Sequence, residues 1–283
     1  MKKISTLVIT LIALTSFSQT ENQVDYPVAK EKYTAHNKGK FFVFWGGNRE
    51  SFSKSDIHFS GSNHDFTLYN VEAQDKPKGY HLDYINPSRM TIPQTNFRLG
   101  YYISDKYSIS IGFDHMKYVM IQDKVVNYSG YYPNEGSYGE SLPGDQLLLT
   151  KDFLEYEHTD GLNYVHTEIS RVDDISKVLN LPNTDKFQIN LTEGIGGGFI
   201  YPKTNATLFT EARHDKFNIA GYGVSAKAGL NFTFYKYFFI QTELKGGYIE
   251  MNNIKTSANP TYKATQNFWF LQSIVAVGGI FKI

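Results

Sequence analysis

The chain contains no cysteine. That excludes disulfides and zinc–thiolate sites, and it excludes the acylated thiol that anchors a lipoprotein. It has no net charge either: 28 basic residues balance 28 acidic ones, so a strong electrostatic case for nucleic acid is missing. Beyond the N-terminus no segment reaches the roughly eighteen uninterrupted apolar residues of a membrane helix. The nearest, Phe268 to Phe281, is interrupted by Gln272 and Ser273 and reads as one long strand. A mean hydropathy of −0.37 excludes a helical membrane protein. It does not exclude a strand-built one, which hides its apolar band in alternate positions. Tryptophan is scarce at two residues, yet 21 Tyr and 21 Phe raise the aromatic share to 16%. Aromatics in that number can serve as interfacial girdles.

Residues 1–18, MKKISTLVITLIALTSFS, have the parts of a secretory signal. Lys2 and Lys3 form the positive end, Leu7 to Leu14 the apolar stretch, and Ser16-Phe17-Ser18 a small-x-small cleavage site. Residues 19–38 are polar and without periodicity, a short periplasmic lead-in. The remaining 39–283 form one domain.

Strand periodicity dominates that domain. In 217–251, Tyr222, Val224, Ala226, Ala228, Leu230, Phe232 and Phe234 alternate with Gly221, Gly223, Ser225, Lys227, Gly229, Asn231 and Thr233. After a tight Tyr235–Lys236 turn, Phe238, Ile240, Thr242, Leu244, Gly246 and Tyr248 alternate with Phe239, Gln241, Glu243, Lys245, Gly247 and Ile249. A period of two with one apolar and one mostly polar face marks β-strands. Both arms exceed the usual strand length of soluble sheets. Their polar face carries glycine and charge where a soluble sandwich would place its core, so the apolar face looks outward, toward lipid.

The same pattern predicts strands over 39–49, 95–104, 107–122, 153–171, 187–201 and 266–283, making eight with the central pair. Asp160-Gly161 is expected to bulge the fourth or break it into a hairpin. Glu193 violates the fifth by pointing nominally at lipid, which calls for a bulge there or a kink at Gly196–Gly198. The linker after the fourth has helical spacing at Ile175, Val178 and Leu179, behind Asp173 or Asp174 as cap. Long connections at 50–91, 123–151, 202–216 and 252–265 alternate with those at 104–106, 172–185 and 235–236, two of them tight. Short periplasmic turns, longer outer loops and an even strand count belong to transmembrane β-barrels. The expected fold is therefore an all-β, antiparallel transmembrane barrel of eight strands. Ten is the alternative, if 55–70 or 153–170 forms an extra hairpin.

With its signal, its alternating strands and a final strand ending GGIFKI, the chain resembles small outer-membrane β-barrel proteins of Gram-negative bacteria. The Phe-Ser-Gln junction and the Tyr/Asn/Lys-rich loops look most like those of the Bacteroidota. Such proteins commonly end on an aromatic; here Ile283 is last and Phe281 lies two residues earlier. The resemblance is architectural and implies a place in the cell outer membrane. Its implied partners are outer-membrane lipid, including lipopolysaccharide, and the barrel-assembly machinery. No cofactor is implied.

Three clusters could carry chemistry. Inward projection gathers Arg98, Asp114, His166, Glu168, Lys227, Glu243 and Lys245 in the lumen, where buried charges require partners and a salt-bridge network results. A gated polar path or small-ligand pocket is the functional alternative. The first long loop holds Asp56, His58, His64 and Asp65, which could bind a ligand; their spacing matches no metal motif, so no metal site is assigned. In the same loop Phe59, Phe66, Leu68 and Val71 suggest a small hairpin or packing into the barrel mouth. Glu155, Glu157, His158 and Asp160 lie near the outer end of the fourth strand. They invite comparison with barrel-embedded acyl hydrolases, with His166 and Ser170, or His115 and a neighbouring serine, as base and nucleophile. His115 and Lys117 can instead point outward at the upper rim, where lysine can meet lipid phosphates.

The function expected is a structural or surface-binding role for a barrel with a side-chain-filled lumen and an unknown extracellular ligand. A lipid acyl hydrolase is the second reading. A soluble secreted barrel holding an apolar ligand is the third, and it requires apolar residues inside and polar ones outside.

Overall fold

The computed structural model describes residues 36–79, 94–181 and 184–283. The expectations for 1–18 and for most of 19–38 lie outside the described residues. In chain order the strands are β1 (Phe41–Phe52), β2 (Ser55–Ser60), β3 (Asp65–Val71), β4 (Ala73–Gln74), β5 (Thr95–Tyr102), β6 (Tyr107–Met120) and β7 (Val125–Tyr131). There follow β8 (Gln146–Leu148), β9 (Leu154–Asp174), β10 (Phe187–Pro202), β11 (Asn205–Leu208), β12 (Gly221–Phe234), β13 (Phe238–Lys255) and β14 (Lys263–Phe281).

Eight of these close a ring in the order β1-β5-β6-β9-β10-β12-β13-β14, with β14 pairing back onto β1. Every pairing in it is antiparallel. These are the eight predicted strands. Segment 55–70 does fold as a hairpin, β2–β3, but it attaches to the upper part of β14 outside the ring. Segment 153–170 stays within one strand: Gly161 adopts φ +145° and the β6–β9 register shifts beside it, so Asp160-Gly161 is a bulge. The Tyr235–Lys236 turn has both residues in the left-handed region, as a two-residue hairpin requires. After β9 the chain makes a turn in which Leu179 N–H donates to the Ile175 carbonyl and Asp174 accepts from Ser176 N–H at 2.8 Å.

Alternation sets the facing. Ile111, Ile195, Val275 and Val277 are each more than 60% exposed, while Ser110, Gly112 and Ala276 beside them turn inward. The central hairpin exposes Val224, Leu230, Ile240 and Leu244 and buries Ser225, Asn231, Gln241 and Lys245. This is the reverse of a soluble barrel. Aromatic rings border the apolar band. Phe41, Tyr101 and Phe281 cluster at the lower end, where the turns are short; Tyr248 packs against Trp269 above. Twelve residues separate Trp269 from Phe281, which at the usual strand rise and tilt is about 30 Å of height. On β1 the band is shorter, since Arg49 lies eight residues above Phe41, about 20 Å.

Glu193 corrects an expectation. It needs neither bulge nor kink, because β10 keeps unbroken register with β9 and β12 on both sides. It stays outward, opposite Arg171, which in turn holds Asp173 at 2.6 Å. Cross-strand charge pairing serves where an inward turn was anticipated.

The interior is filled in three layers. Phe42, Phe44, Tyr102, Phe239 and Ile280 plug the lower end. Charged side chains occupy the middle. Above them a larger apolar core runs from Met116, Tyr118 and Phe268 in the barrel mouth to Phe59, Phe66, Tyr132, Phe153 and Phe209 in the long connections. The connections are thus a folded cap. Strand β14 carries β1 on its lower part and β2 on its upper part, and the sheet continues β2-β3-β7-β8.

Candidate functional site

Seven charged or ionisable side chains meet in the middle layer, and all seven are those projected inward from the sequence. β5 brings Arg98, β6 Asp114, β9 His166 and Glu168, β12 Lys227, and β13 Glu243 and Lys245. Arg98 grips Asp114 with two nitrogens, at 2.6 and 3.1 Å. Asp114 also accepts from Lys245 at 2.9 Å and lies 3.2 Å from His166 Nε2. Lys245 reaches Glu168 at 3.5 Å, and Lys227 joins Glu168 and Glu243 at 2.6 and 2.7 Å. Three cations face three carboxylates in one connected chain. Arg98, Asp114, His166 and Lys245 have side chains with no solvent exposure.

Space for this cluster depends on a glycine. A Cβ on Gly112 would come within 2.5 Å of the His166 ring and 2.8 Å of the Arg98 guanidinium carbon. Arg98 also lies 5.7 Å from the Phe44 ring centre, tying the network to the lower plug. Beneath it a hollow of about 30 Å³, bordered by Ser170, Lys227, Gln241 and Glu243, has room for about one water.

The network extends beyond the seven residues that the sequence pattern points inward as charges. Asn96 donates to Asp114 at 2.6 Å, and Gln272 donates to Glu50 at 3.0 Å. Gln94 donates to both Glu50 and Asp75. Gln272 was visible as the polar break in the apolar run 268–281; its inward parity is the signal that points to a buried partner. Glu50 lies one residue past Arg49, where the sequence pattern ends the first strand, whereas β1 continues to Phe52.

The loop cluster separates. His58 Nε2 pairs with Asp65 at 3.0 Å on the outer face of the β2–β3 hairpin, and Asp56 there accepts from Asn70 N–H at 2.8 Å. His64 turns to the opposite side and is buried against the rings of Phe66, Phe209 and Tyr262. That burial depresses its pKa. Among the described residues no three His, Cys, Asp or Glu side chains converge on a metal position.

Neither nucleophile–base pair forms. Ser170 donates to Glu168 at 2.9 Å, while His166 is turned to Asp114 and Lys245. Nor does His115 face out at the upper rim as the alternative had it: it is fully buried, with Nδ1 2.7 Å from the Asn163 side-chain oxygen. His158 bonds Thr204 at 2.9 Å inside the cap. Glu157 and Asp160 lie in a surface ion cluster with Lys76, Lys203 and Arg213.

No known family model matches the chain, and no curated protein matches it. The solved structures it is similar to include the following three outer-membrane proteins. Against OprG of Pseudomonas aeruginosa the identity is 10% over 88% of this chain and 99% of that one, with a TM-score of 0.38. Against the Neisserial surface protein A it is 9%, over 86% and 97%, at 0.33. Against Ail, the attachment invasion locus protein of Yersinia pestis, it is 9%, over 84% and 99%, at 0.27. At these values the correspondence is one of general architecture, and the fold assignment stands on the closed ring of strands itself.

Proposed function

We propose that this chain is an integral outer-membrane β-barrel, closed to solutes, whose role is carried by a rigid cap on the cell surface. The observation that carries this reading is the belt of exposed Ile, Leu, Val and aromatic side chains around a ring whose inward face is charged and paired. In water such a belt would drive aggregation; in a bilayer it is the favoured outer face. The short turns then lie in the periplasm and the cap outside. Fully buried Arg98 and Lys245, with apolar layers above and below, support a sealed lumen.

The test is physical. The purified protein should require detergent, show a heat-shifted band on a gel, and conduct no ions in a planar bilayer. Leu230→Arg or Leu244→Arg should cost about 2–4 kcal/mol of stability in the membrane, read by urea unfolding into lipid vesicles. Full stability in both variants would reverse the assigned facing. Steady conductance would remove the sealed lumen while leaving the membrane assignment.

A further inference from the structure

The cap has an outer face as regular as the barrel wall below it. On β14 the side that turns Trp269, Leu271, Val275 and Val277 outward continues upward into Asn267 and Thr265. Cross-strand pairing carries the same side across the sheet. Thr265 lies opposite His58, His58 opposite Thr67, and Thr67 opposite Ser129. Two residues along, Tyr69 lies opposite Asn127, and Asn127 opposite Gln146. The inner side of these strands is Ile57, Phe59, Phe66 and Leu68, all in the core, so the sheet is held rigidly with its polar side out.

That polar side is hollowed twice. One hollow of about 300 Å³ is bordered by Asp56, His58, Thr67, Asn252, Thr265 and Asn267. A second, about 720 Å³ and more open, lies beyond Tyr69 and is bordered by Asn127, Ser129, Gln146 and the 143–145 loop. Amides, hydroxyls and a few carboxylates on a firm, shallow surface with a tyrosine ring offer paired donors and acceptors at fixed spacing. This chemistry matches the vicinal hydroxyls of sugars. Lysine and arginine do not border either hollow, which disfavours phosphate as the recognised group.

Position selects the source. The face looks away from the barrel axis and begins directly above the Trp269–Tyr248 ring pair. From Trp269 to Lys263 the strand climbs about 15 Å, which is sugar height above the acyl chains of an outer leaflet. We propose that the outer face of the β14-β2-β3-β7-β8 sheet binds the uncharged sugars of adjacent lipopolysaccharide. This rests on the membrane orientation proposed above.

The experiment uses the full chain folded in detergent, with lipid-free core oligosaccharide released from lipopolysaccharide by mild acid as probe and maltoheptaose as comparator. Saturation-transfer NMR should mark the core sugars. Asn127→Ala/Gln146→Ala/Asn267→Ala should weaken binding at least tenfold with the heat-shifted gel band unchanged. Should that triple fail to fold, Asn267→Arg alone blocks the face with one exposed substitution and should give the same loss. No transfer, transfer unchanged in a folded variant, or equal transfer to maltoheptaose would overturn the site. Those failures leave the detergent requirement intact, whereas a chain soluble without detergent would defeat the membrane orientation instead.

Discussion

The middle of the lumen and the cap above it close the same barrel with opposite chemistry. In the middle, Asp114 serves Arg98, Lys245, His166 and Asn96 at once. In the cap, Phe209 meets Phe66, Tyr132, Phe153 and Tyr138 with ring centres 5.4–5.9 Å apart. The network is specified by pairs: each charge is tolerable only while its partner stands, because an unpaired buried ion loses hydration without compensation. The cap is specified by volume and tolerates exchange among apolar shapes. One layer should fail abruptly on single substitutions, the other gradually.

The largest effect should come from Asp114→Ala, which strips the shared carboxylate from two fully buried cations. A loss of about 3–5 kcal/mol or failure to fold is expected, measured by urea unfolding into vesicles. If the cost stayed under about 1 kcal/mol, the pairwise picture of the middle layer would be wrong. Removing charge in balance sharpens the contrast. Lys245→Met with Glu168→Gln should cost at least about 1 kcal/mol less than the sum of the two single changes, in a double-mutant cycle. In the cap, Phe66→Leu should cost only about 1–1.5 kcal/mol and leave the heat-shifted band in place. The smallest effect concerns protons. Burial holds two cap imidazoles below their usual 6.5: that of His64 and that of His214, which bridges Ala206 of β11. The unfolded cap then binds more protons than the folded one, so stability is whole above pH 6.5 and declines as pH falls below it. Protection factors in the cap, with amide exchange corrected for its intrinsic slowing at lower pH, should fall between pH 6.5 and 5 while those of the ring strands hold; His64→Phe should blunt the response. An equal fall in the ring would contradict a cap-centred effect.

Alternation made the ring and its network legible. A period of two assigns a face to each residue once one apolar neighbour is placed, so Lys227 and Lys245 could be sent inward from their own strands. The cap was legible only in fragments. Phe59 and Phe66 share a hairpin whose alternation is visible, but Tyr132, Phe153 and Phe209 come from separate connections with no common period. Their meeting is a product of tertiary closure. The same rule explains the divided loop cluster: His58 and Asp65 fall on the outer parity of the β2–β3 hairpin, whereas His64 turns with the inner rings. At Glu193 parity held and the anticipated remedy did not. A charge on the outer face was matched from the neighbouring strand, a relation invisible until register is known.

Strand β14 clasps β13 along one edge, and along the other it clasps β1 below and β2 above. One strand therefore serves both the wall and the cap sheet. Loosening β14 above Trp269 would unseat β2 while β1 stays paired below, and loosening it below would open the wall while the cap keeps its β4–β6 and β11–β9 pairings.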